Sequence, residues 1–147
     1  MLRRIAAFVV AAAVMVVLGS AAHSYFVQQA WAMAAAQADG TSFASIPFVD
    51  RLAWAAHDLR GIFQSYGSLT SIALFVAFLI AGAVARFSGR RVMVFGVAGA
   101  LAIFAMFTAL KFVLGTVGIF GARGTAGLSA QMAVGLLAGV LFARLTA

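Results

Sequence analysis

Four stretches of this chain run almost free of ionisable residues, and the connections between them sort by charge sign. The stretches cover 5–22, 68–85, 92–114 and 125–143. A helix needs about 20 residues to cross a hydrocarbon layer of roughly 30 Å, so each run is long enough to span. The shortest interior run, 68–85, has 18 residues and fits with little tilt. None of the runs alternates apolar and polar residues as a barrel strand would, and the single proline, Pro47, lies outside all of them. Helices satisfy their own backbone groups in lipid, so the pattern predicts an all-α fold: an integral membrane four-helix bundle forming one domain over 1–147.

Orientation follows from the connections. Arg86-Phe87-Ser88-Gly89-Arg90-Arg91 places three arginines in a six-residue loop, and short basic loops stay on the inner side. With that loop inside, Arg3, Arg4 and Arg144 are also inside, while Asp39, Asp50 and Asp58 all fall outside. The expected topology is N-in and C-in. Arg51, Arg60, Lys111 and Arg123 are then the outer basic residues, with Lys111 snorkelling from the end of the third run. A second reading of the first run stays open. Arg3-Arg4, an apolar stretch and Ser20-Ala21-Ala22 resemble a cleavable signal peptide, although apolar character continues past Ala22 and favours a retained helix.

The outer segment, 23–67, has its own pattern. His23 to Ala38 reads as an extension of the first helix, with Tyr25 and Trp31 at interfacial depth. Asp39-Gly40-Thr41-Ser42 reads as a loop, and Pro47 marks a helix start. Phe48, Leu52, Ala55, Leu59 and Ile62 or Phe63 then recur at helical spacing, which predicts a short outer amphipathic helix between spans 1 and 2. Gly61 and Gly67 are expected to break it before the chain enters the membrane again.

Composition sharpens the class. The chain of 147 residues is 65% hydrophobic and 9% charged, against roughly 25% charged in ordinary globular domains. Its formal charge of +7 is spread beside apolar runs and not gathered on a polar face, so it speaks for membrane orientation and against nucleic acid. Without cysteine there is no disulfide frame or thiolate chemistry. Nine of the ten basic residues are arginine, which with abundant alanine and glycine suggests a GC-rich bacterial genome and an inner-membrane location.

Candidate chemistry is sparse. On the fourth run Gly127, Gln131, Gly135, Gly139 and Ala143 recur every four residues, and Gly135–Gly139 is a GxxxG pair. Small residues let helices approach closely in lipid, so the stripe is a helix-packing face, toward the second or third span or toward a partner. The plainer assignment is the intramolecular one. Gln131 is a buried amide in need of a partner, and Lys111, Arg123 and Asp58 could join it in an outer polar cluster that attracts an anion or lipid headgroup. The glycine-rich stretch from Gly115 to Gly127 lacks a GKS/T ending and reads as a hairpin between spans and not as a phosphate loop. His23 and His57 are poorly placed for haem or copper, and His57-Asp58 with Ser65 or Ser68 makes no triad, because neighbours on a helix point about 100° apart. No carboxylate lies in any run, which argues against a proton-coupled exporter of the small four-span type. No catalytic, metal or cofactor site is expected. The sequence favours a non-catalytic accessory, assembly or structural subunit whose partners are the bilayer and another membrane protein or a second copy of itself. The alternative is a small oligomeric transporter or channel.

Overall fold

A computed structural model describes residues 1–39, 42–115 and 119–147. The described residues form four helices: α1 (Leu2–Asp39), α2 (Phe48–Ser88), α3 (Arg91–Leu114) and α4 (Thr125–Leu145). Two short 3-10 turns, Phe43–Ser45 and Phe120–Ala122, lie in the connections. All four helices are long and apolar enough to cross a membrane. They pack in a ring, with α1 between α2 and α4, and α3 between the same two on the other side.

The lengths are unequal. α1 and α2 have 38 and 41 residues, against 24 and 21 for α3 and α4. At 1.5 Å per residue the first pair exceeds the second by about 20 Å or more. The expected short amphipathic helix does not exist as a separate element: it is the first part of α2, which runs unbroken through Gly61 and Gly67. A glycine inside a helix costs only about 1 kcal/mol relative to alanine, less than the cooperative ladder around it supplies. Gly67 also packs: a Cβ there would lie 3.5 Å from a Val16 methyl, so the smooth helix surface is matched by α1.

Neighbouring helices run antiparallel. On α1 and α2, Phe8 meets Phe75 and Phe78, while Gly19 faces Tyr66. On α3 and α4 the backbones touch. A Cβ on Gly99 would fall on the Gly135 carbonyl, and a Cβ on Gly139 would fall on the Phe95 carbonyl. A crossing this close is open only to glycine, and it gains dispersion contact along both backbones.

One end of the bundle is closed by aromatic rings and arginines. Phe78 stacks on Phe142 at 4.7 Å, and Phe95 lies 5.6 and 5.1 Å from the two. Arg3 Nε donates to the Leu145 carbonyl at 2.9 Å and its Nη2 to that of Ala147, so the start of α1 caps the end of α4. Arg91 donates to Thr146 Oγ1 and lies over the Phe95 ring.

Candidate functional site

The other end of the bundle holds a buried polar seam. Ser20, His23, Ser24 and Gln28 share one face of α1 by their spacing of three and four residues, and all four are buried. Such a face needs partners, because a buried polar group without a hydrogen bond is costly. Partners for this face come from α2 and from the turn before α4, while α4 itself reaches the adjoining Gly19 carbonyl.

Gln131 of α4 is completely buried. Its Nε2 donates to the Gly19 carbonyl at 2.8 Å, and its Oε1 accepts from the Tyr66 hydroxyl at 2.6 Å. One amide thus joins α1, α2 and α4. Gly19 makes room for it, since a Cβ there would overlap the Tyr66 hydroxyl and come within 2.9 Å of Gln131 Oε1. One turn further along α1, His23 Nδ1 accepts from the Gly121 amide at 3.1 Å, which assigns the remaining ring proton of the neutral form to Nε2. Gln28 Nε2 donates to Ser24 Oγ at 2.9 Å and to the Arg51 carbonyl at 3.1 Å. Thr70 returns its hydroxyl to the Tyr66 carbonyl at 2.8 Å. Ser20 Oγ is buried without a partner among the described residues.

Arg51 extends the seam into the connection between α1 and α2. Its Nε donates to the Ile46 carbonyl at 3.0 Å, its Nη2 donates to the Phe43 carbonyl at 2.7 Å, and its guanidinium lies 4.3 Å from the Phe43 ring centroid. The Phe43 ring meets Tyr25 edge to face at 5.5 Å, and Trp31 meets Trp54 in the same way at 5.4 Å. These contacts fix the start of α2 against the C-terminal half of α1. Charge-assisted bonds from one planar group to several carbonyls hold orientation better than a flexible ammonium would.

The residues singled out in the sequence scatter around this arrangement. All five members of the four-residue stripe are buried, but they serve different neighbours. Gly135 and Gly139 meet α3, Gln131 meets α1 and α2, and Gly127 packs against the Gly121 carbonyl. Lys111 is exposed on the last turn of α3, Arg123 is exposed just before α4, and Asp58 is half-buried on α2. Among the described residues the hydrogen-bonding partners of Gln131 are Tyr66 and Gly19, not Lys111, Arg123 or Asp58. His57 is exposed while His23 is buried, so the two histidines have unlike surroundings. Ser65 and Ser68 donate to carbonyls of their own helix. Within the glycine-rich stretch, 116–118 lie outside the described residues, and Gly115 ends α3 with φ +71°.

The polar face of α1 and the Tyr66–Gln131 bond were missed in the sequence. The recurrence of Ser20, His23, Ser24 and Gln28 was a usable signal for the first, whereas nothing local pairs residues 65 positions apart.

The fold and the seam together define an all-helical chain with four membrane-length helices, locked at one end by a polar network and at the other by arginines. Comparison with known proteins found no match: no family model, no curated protein and no solved structure aligns with this chain.

Proposed function

We propose that this chain is a multi-pass protein of a bacterial inner membrane, N-in and C-in, that works as a non-catalytic accessory or assembly subunit. Its docking surface is the outer halves of α1 and α2, and the partner is another membrane protein. The observation that carries this reading is the apolar surface left on those halves: Phe48 is 72% exposed, Leu52 59% and Trp31 53%. A hydrocarbon core of roughly 30 Å is filled by the length of α3 and α4, so lipid tails do not account for apolar side chains on the remaining part of α1 and α2. Contiguous exposed apolar surface in water marks an interaction site, and aromatic residues are the usual anchors.

The seam supports the same reading. Apart from Ser20 Oγ, its polar side chains bond to one another and to backbone, which orients the paired helices instead of lining a path for solute. The glycine crossing is occupied by the contact of α3 with α4, so the stripe is already used within the chain.

The test is a photo-crosslinking amino acid placed at Leu52 or, as a control, at Leu79 on the bundle flank. Adducts of one discrete protein mass at Leu52, with lipid adducts alone at Leu79, are expected in intact cells. Lipid adducts alone at both positions would end the docking proposal.

A further inference from the structure

At the arginine end, α1 and α2 part around a cleft of about 810 Å³. Phe8, Phe75 and Leu79 form its sides, and Phe95 and Phe142 lie behind them. Phe75 and Leu79 are more than half exposed, so the cleft opens on the flank of the bundle, where a membrane helix meets lipid. This interior is apolar and ring-lined, the surface that an extended hydrocarbon chain fills by dispersion contact.

Its rim has the opposite character. Arg4, Arg86 and Arg91 come from three different helices to line the same cleft, and no acidic residue lines it. The three carboxylates, Asp39, Asp50 and Asp58, are all far along the chain from this end. Arg91 Nε is buried with no acceptor among the described residues, while Nη2 of the same group is engaged by Thr146. Arg4 and Arg86 are exposed, so their guanidinium donors can reach an anionic oxygen at the rim, and phosphate accepts from several such donors at once.

We propose that this cleft binds an anionic phospholipid. The acyl chain lies against the phenylalanines, and the headgroup phosphate sits among Arg4, Arg86 and Arg91. An amphiphile matches the site because charge and apolar wall belong to a single cavity: inorganic phosphate would leave the rings uncovered, and a neutral lipid would leave the arginines without a counter-charge. The proposal rests on the reading of the helices as membrane-spanning and is independent of the docking role.

The test uses the full chain purified in a neutral detergent and titrated with phosphatidylglycerol or phosphatidylcholine, with bound lipid counted by native mass spectrometry. Phosphatidylglycerol should bind saturably and about tenfold or more tightly than phosphatidylcholine, the scale expected when two or three arginines face an anionic headgroup. The double variant Arg4→Gln/Arg86→Gln should abolish that preference. Gly82→Leu should weaken both lipids without changing charge, because a side chain there points at Phe95 across the cleft, its Cβ 3.9 Å from the ring. Arg144→Gln, an exposed arginine outside the cleft, should bind like the parent.

Equal binding of the two lipids, or a preference that survives the double arginine variant, would overturn the proposal. Displacement of the lipid by inorganic phosphate, with Gly82→Leu behaving as the parent, would make the site one for free phosphate and would also overturn it. Release of the chain from membranes by alkaline carbonate would instead remove the membrane-spanning premise, a failure separable from loss of headgroup preference in an integral protein.

Discussion

Tyr66 donates to Gln131 at 2.6 Å through the space that Gly19 leaves by having no side chain. Three helices depend on this one arrangement, so its members should respond differently to substitution. Tyr66→Phe removes the donor and strands a buried amide oxygen, which should cost about 1–3 kcal/mol. Gly19→Ala should cost more, because its methyl displaces the hydroxyl and disturbs the amide as well. The double variant Tyr66→Phe/Gln131→Leu should lose less than the sum of its single changes, since neither half then leaves an orphan. Thermal unfolding in detergent measures these variants and the single Gln131→Leu, and additive losses would mean that the two side chains act independently.

At the α3–α4 crossing, Gly135→Leu and Gly139→Leu should each destabilise by about 3 kcal/mol or more, since the new atoms meet backbone at Gly139 and backbone with the buried Ile103 side chain at Gly135. Leu137→Ala, at a half-exposed position, should cost under about 1 kcal/mol. The glycine variants should aggregate or be degraded without first changing oligomeric state. A stable monomer that loses a larger complex would assign the stripe to a partner instead.

Arg51 holds the connecting turn by three carbonyls, those of Phe43, Ala44 and Ile46. Arg51→Lys keeps the charge but lacks the planar fork. Exchange of the Ile46 amide, which donates to Phe43 at 3.4 Å, should speed up by about tenfold while exchange in α3 and α4 stays as in the parent. An unchanged Ile46 amide would show that the aromatic contacts alone close the turn.

Topology is testable by reporter fusion. Fusions at Ser88 and Ala147 should report cytoplasm, and those at Asp39 and Ala122 should report the outer side. The warrant is the loop Arg86 to Arg91 together with the confinement of all three acids to 39–58. An external signal at Ser88 would invert the map.

The four apolar helices were legible in the sequence because lipid-length runs are a strong periodicity-free signal. The ends of α1 and α2 were less so. Gly61 and Gly67 look like breaks in isolation, yet the local cost of a glycine is small and Val16 fills the surface that Gly67 leaves. Gln131 announced its need for a partner, but which partner is decided by how α2 lies against α4, and no local pattern encodes that. Lys111 and Arg123 drew attention as charges near a membrane surface, while the described bonding of Gln131 goes to the neutral Tyr66 and a backbone carbonyl. Charge is conspicuous in a greasy sequence; serine, tyrosine and glutamine on a helix face are not.

The seam also sets a timetable for biosynthesis. The carbonyl of Gly19 waits for Gln131, 112 residues later, and His23 waits for Gly121, 98 residues later. At roughly 5–20 residues per second, α1 emerges from the ribosome some 5–20 s before its polar face can be completed. During that interval His23 lies on a newly made helix without the turn that later meets it. If these helices span a membrane as proposed, the insertion machinery or water beside it hosts that face until the last helix arrives, and truncation before Gly121 should leave α1 bound to its insertase.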